Sequence, residues 1–106
     1  MASGSIKTPD LSHLKAVYTN IPDSGGTYTL VRPANNSPTL LIFGRTSGSN
    51  ASIKGLFFID AWRGLTKIIG DDVLTVTMPS DSSSPNVTIT NTAGYYATLL
   101  AIMYNP

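Results

Sequence analysis

A chain with no cysteine, one histidine and acids that are all aspartate has few ways to do chemistry on a substrate. Ser-His-Asp is the only familiar nucleophilic set this inventory permits. His13 would have to serve it from the N-terminal lead-in, where a precise site has little support, and no Gly-x-Ser-x-Gly elbow accompanies it. His13 therefore reads as a surface or capping residue. Paired carboxylates could hydrolyse sugars, but Asp71 and Asp72 are adjacent and follow Gly70, which places them in a turn. Asp60 ends an apolar run and precedes Trp62-Arg63, so pairing with Arg63 or capping a backbone group is its expected role. Calcium needs several oxygens converging from one loop, and Asp81 with Ser82, Ser83 and Ser84 offers one charge. No catalytic residue, cofactor or metal is expected, and the chain reads as a non-enzyme.

Binding by surface contact remains open to this inventory. Exposed aromatics beside polar loops are the usual means of holding a sugar ring or a protein surface. Trp62, flanked by Asp60 and Arg63, is the best candidate contact, although closing one end of the core is the favoured role for a tryptophan there. The Ser/Gly/Asn loop at 45–52, with Ser49 and Asn50, and the proline-bounded loop at 79–85, with Asp81, would supply the polar contacts. Tyr95 and Tyr96 are expected to pack. Asn-x-Ser/Thr sequons at Asn35, Asn50 and Asn86 point to surface loops and imply no glycosylation by themselves.

The elements that must position such contacts follow from composition. Net charge is +1, only 12% of residues are charged, and the seven Lys and Arg are scattered. No basic stripe forms the footprint of phosphate binding, so nucleic acid is not an expected partner. No stretch approaches the roughly 18 to 20 apolar residues of a helical membrane span, so membrane insertion is not expected. Glu and Gln, both good helix formers, are absent, while Thr and Ser carry most of the polar surface. That balance favours sheet.

Residues 1–5 read as an expression-tag scar, 6–26 as a lead-in, and 27–106 as one β-sandwich domain. The lead-in offers two readings. Asp10 could cap a helical turn carrying Leu11, Leu14 and Tyr18, or the segment could be an extended arm. Beyond it, strand patterns recur at 27–31, 39–43, 53–60, 65–69, 73–78, 86–90 and 95–104, with turn residues between. About seven short strands so spaced predict an all-β, antiparallel sandwich of jelly-roll type. The continuous apolar run 39–43 is consistent with a strand buried on both faces.

The last strand is apolar on both of its faces: Tyr95, Ala97, Leu99, Ala101 and Met103 on one, Tyr96, Thr98, Leu100, Ile102 and Tyr104 on the other. A strand with one wet face would alternate with polar residues. Either this strand is covered on both sides within one subunit, or one side packs against another chain. Sparse charge and the second doubly apolar run favour a homo-oligomer. An apolar finish also reads as the end of the last domain of a longer protein.

The segments 26–33, Thr39-Leu40-Leu41-Ile42-Phe43-Gly44-Arg45-Thr46 and Gly55-Leu56-Phe57-Phe58-Ile59-Asp60-Ala61-Trp62 carry a resemblance, together with Asn91-Thr92-Ala93-Gly94 leading into an apolar strand. Over most of residues 20–106 the chain resembles the C-terminal tip or head domain of a bacteriophage tail-fibre or baseplate receptor-binding protein. The resemblance implies a compact sandwich in the virion tail, assembled as a trimer, whose loops bind a bacterial surface glycan or protein. A structural module for trimerisation, baseplate assembly or capsid decoration, with no ligand of its own, is the alternative. Outside a virion, an extracellular or cell-surface setting would suit the same composition.

Overall fold

The computed structural model describes residues 12–44, 53–60, 64–70, 73–80 and 83–105. Eight strands follow in chain order: β1 (Leu14–Ile21), β2 (Gly26–Val31), β3 (Thr39–Gly44), β4 (Ile53–Ile59), β5 (Leu65–Gly70), β6 (Leu74–Thr77), β7 (Asn86–Asn91) and β8 (Ala97–Tyr104). They form two antiparallel sheets. The wide sheet has the order β1-β8-β3-β4-β5 and the narrow one β2-β7-β6. First pairs with last (β1 with β8, β2 with β7), so the chain is wrapped as a folded ribbon. The eighth strand is β1, so the lead-in is extended from residue 14 and the helical turn does not form there; Asp10 and Leu11 lie outside the described residues.

Period-2 patterning puts one face of each strand inward. The wide sheet sends Leu41, Phe43, Phe57, Ile59, Leu99, Ala101 and Met103 into the core, and the narrow sheet meets them with Leu30, Leu74, Val76, Val87 and Ile89. Phe43 and Phe57 meet edge-on, with ring centroids 5.6 Å apart. They can do so because Gly55 lies between them; a Cβ there would stand 2.9 Å from the Phe43 ring and 3.2 Å from the Phe57 ring.

Buried polar side chains mark the places where the chain changes sheet. Arg32, just past β2, is buried, and its Nε and Nη1 donate to Pro85 O at 3.2 Å and Ser37 O at 3.3 Å. Thr39 Oγ1 donates to the same Ser37 carbonyl at 2.8 Å. Elsewhere Asn91, at the end of β7, donates through Nδ2 to Ile21 O (3.4 Å) and Tyr95 O (3.0 Å), while its Oδ1 accepts from Ala93 N (3.1 Å). One side chain thus ties β1, β7 and the approach to β8 together. The β1–β2 corner beside it needs positive φ at Ser24 (56°) and Gly25 (89°), a region where glycine is at ease and serine is not. Backbone bonds from Ser24 N to Ala93 O and Gly25 N to Asn91 O, both 2.8 Å, hold the corner in that shape.

Candidate assembly surface

Of the six residues expected to contact a ligand, Asp60 is described; Trp62, Arg63, Ser49, Asn50 and Asp81 lie outside the described residues, as do Asp71 and Asp72. Asp60 follows β4, and its N–H donates to Gly64 O at 3.0 Å. A side chain at Gly64 would run into the Asp60 carboxylate, so that carboxylate lies against Gly64. His13 fastens the end of the chain. Its Nδ1 stands 3.0 Å from Asn105 O, a carbonyl that only accepts, so Nδ1 carries the proton. The imidazole also stacks on Tyr104, with centroids 5.9 Å apart and planes at 10°. Among the described residues no group of three or more His, Cys, Asp or Glu could hold a metal ion.

The most distinctive geometry lies on the outside of the wide sheet. Pairing registers align Tyr18, Leu100, Ile42, Leu56 and Ile69 in one row across all five strands. A second row holds Ala16, Ile102, Leu40, Phe58 and Thr66. Neither row contains a charge. Directly opposite side chains on one face stand about 4.5–5.5 Å apart, so each row is a continuous apolar ridge. Leu40, Ile42, Leu56, Phe58, Leu100 and Ile102 are half-buried by one another, and no described residue forms a layer above them. With strands about 4.8 Å apart and outward residues about 6.8 Å apart along each, the two rows cover roughly 330 Å².

The outside of the narrow sheet is its opposite. There the registers place Thr27, Thr90 and Thr75 in one row and Thr29, Thr88 and Thr77 in the next. The hydroxyls face water while Tyr28, Ile89, Val76, Leu30 and Val87 turn inward. This is the alternation of a solvated antiparallel sheet.

Two expectations need correction here. Strand 39–43 is not buried on both faces: Thr39, Leu41 and Phe43 are in the core, but Leu40 and Ile42 lie on the uncovered face. The apolar run reflects a central position in the sheet and an outer side without a solvent-facing pattern. Tyr95 and Tyr96 do not pack inside either. They are 39% and 46% exposed and line a shallow notch with Lys54, Gly44, Val73 and Asn91. The β7–β8 connection lifts them off the sheet before β8 begins. For the last strand, both halves of the sequence argument apply to different faces. Ala97, Leu99, Ala101 and Met103 are core, and Leu100 and Ile102 are in the outer rows.

Comparison with protein-family models, with curated proteins and with solved structures gave no match for this chain.

Proposed function

We propose that this chain is a non-enzymatic assembly module, whose wide-sheet outer face packs against other copies of itself. The observation that carries the reading is the pair of uncharged rows through Tyr18–Ile69 and Ala16–Thr66. A monomer's largest exposed apolar patch is usually about 300–600 Å² and is often functional. A face of roughly 330 Å² spread over five strands falls within that range. The same chain makes a wet face out of threonine on its other sheet, so composition alone does not explain the apolar one. Self-association also fits the sparse charge, since copies meet with little repulsion. The resemblance to phage tail-fibre and baseplate tips supplies the setting, a virion tail in which such domains assemble, and it implies three copies.

Light scattering on the purified chain tests this. The protein should run as a multiple of 11.2 kDa, and Leu100→Asp should lower that multiple while leaving the fold intact.

A second reading, host-surface binding, draws on the notch beside Tyr95 and Tyr96. Two exposed phenol rings next to Lys54 give a stacking surface with a hydrogen-bond donor at hand. A glycan array probed with the wild type and with Tyr95→Ala/Tyr96→Ala tests it. Binding lost in the double variant supports this reading; no binding by the folded wild type removes it.

A further inference from the structure

The wide sheet has two edges, and they differ. At one, β5 is interrupted by a bulge opposite Leu56/Phe57, and Lys67 pairs with Phe57 on the inner side of the sheet. Bulges and inward-pointing lysines are devices that blunt an edge against further pairing; Lys15, opposite Met103 on the inner side of β1, gives both edges a lysine, so the bulge is what separates them. At the other, β1 pairs with β8 over eight residues in unbroken register, with no bulge and no proline.

The hydrogen-bond phase of β1 can be read from its neighbours. Asn105 N donates to His13 O at 2.7 Å, and Tyr104 N donates away from β1, to Pro38 O at 3.0 Å. Antiparallel ladders alternate bonded and non-bonded pairs. The odd residues of β1 therefore bond to β8, while Leu14, Ala16, Tyr18 and Asn20 aim their N–H and C=O at the open edge. Among the described residues the one bond found there is a long contact from Thr19 Oγ1 to Asn20 O at 3.5 Å. The side chains of these same four residues lie on the outer face, and Tyr18 is 74% exposed, the most of any large apolar or aromatic residue described.

We propose that β1 pairs with β1 of a second copy, antiparallel across a two-fold axis, with Val17 facing its own counterpart. The inference rests on the assembly reading above and names the arrangement of the copies. In this register Leu14 opposes the second copy's Asn20, and Ala16 opposes its Tyr18. All four open-edge residues are then in bonded pairs, giving about eight new backbone hydrogen bonds. Each exposed Tyr18 ring lies across a small Ala16. Lys15 faces Thr19, so no like charges meet. A shift of one residue would put bonded positions against non-bonded ones; a shift of two leaves part of the edge open.

A single face of roughly 330 Å² falls well short of the about 800 Å² per partner of an ordinary stable interface. Edge pairing about an axis perpendicular to the sheet joins two outer faces into one ten-stranded surface of roughly 650 Å², which comes closer to it. Pairs of such dimers can then stack face to face. Copies associate in even numbers on this arrangement, in place of the three that the resemblance implies.

A cysteine-free chain allows a direct test. Non-bonded antiparallel pairs have Cα atoms about 4.5 Å apart, inside the about 4.4–6.8 Å range of disulfides. Val17→Cys should therefore cross-link to a covalent dimer on mild oxidation, while Ala16→Cys and the narrow-face Thr75→Cys should link at least tenfold more slowly. Ala16→Pro removes an N–H that serves only the open edge, so it should weaken association at least tenfold while the circular dichroism of the fold is kept. A wild type that is monomeric throughout defeats the assembly reading and this inference together. An oligomer sensitive to Leu100→Asp in which Val17→Cys fails to cross-link, or Ala16→Cys links as fast, overturns this inference alone.

Discussion

The two sheets are built from the same kinds of strand and differ in what they show the outside. On the narrow sheet, Thr27, Thr29, Thr75, Thr77, Thr88 and Thr90 stand in two rows, and the residues between them along each strand, Tyr28, Val76 and Ile89, are apolar and inward. On the wide sheet the alternation is lost: Leu40, Ile42, Leu56, Phe58, Leu100 and Ile102 replace what would be threonines. Both sheets contribute to one core, so burial against the core does not account for the difference. An outer face that keeps its apolar residues where hydroxyls would serve in water is a face for another surface.

Substitutions on neighbouring residues of β8 separate the two sides of this argument. Leu99 is fully buried in the core. Leu99→Ala should cost about 2–5 kcal/mol of unfolding free energy, from lost transfer energy and the cavity left behind. Chemical denaturation reads that loss, and the assembly of the remaining folded protein should persist. Leu100→Asp acts one residue away and should do the reverse. The carboxylate can reach water in an open face but not in a stacked one, so stacking is lost and mass falls to no more than the edge-paired dimer, while unfolding of the single chain shifts little.

Asn91 measures how much the β1–β2 corner depends on the end of the narrow sheet. Removing a buried amide with three hydrogen bonds leaves carbonyl and amide groups without partners. Asn91→Ala should destabilise the fold by about 1–3 kcal/mol. Hydrogen exchange should accelerate first near Ile21 and Tyr95, whose carbonyls it releases. The smallest effect belongs to the threonine face. Thr88→Asp places one charge at the centre of a solvated surface, and should change stability by no more than about 0.5–1 kcal/mol with no change in mass.

Much of this architecture was legible in the residues. Strand positions from 26 onward follow from period-2 patterns and from Gly, Pro and Asn between them, and those signals are local. The segment 14–21 was not decisive, because Leu11, Leu14 and Tyr18 fit a helical face as well as an extended arm. Only pairing with β8 fixes it, and that contact lies 76 to 90 residues away along the chain. The pattern at 39–43 carried a true statement, that both faces are apolar, but not which layer covers each. Burial of Arg32 was also beyond local reading. An arginine before Pro33 reads as a surface residue until β2, the 33–38 loop and Pro85 are brought around it. Likewise no local signal marks the open edge of β1, since it depends on sheet order and on the phase of the ladder.

The central claim, that the wide sheet's outer face is an interface, is tested most directly by absolute mass in solution. Sedimentation equilibrium of the wild type, Leu100→Asp and Thr88→Asp across a wide concentration range compares the two faces in one experiment. The expected result is an assembled wild type, an assembled Thr88→Asp and a folded Leu100→Asp of lower mass, no larger than the edge-paired dimer. A wild type that remains a single 11.2 kDa chain at the highest concentration, or a Leu100→Asp variant that assembles as the wild type does, would contradict it.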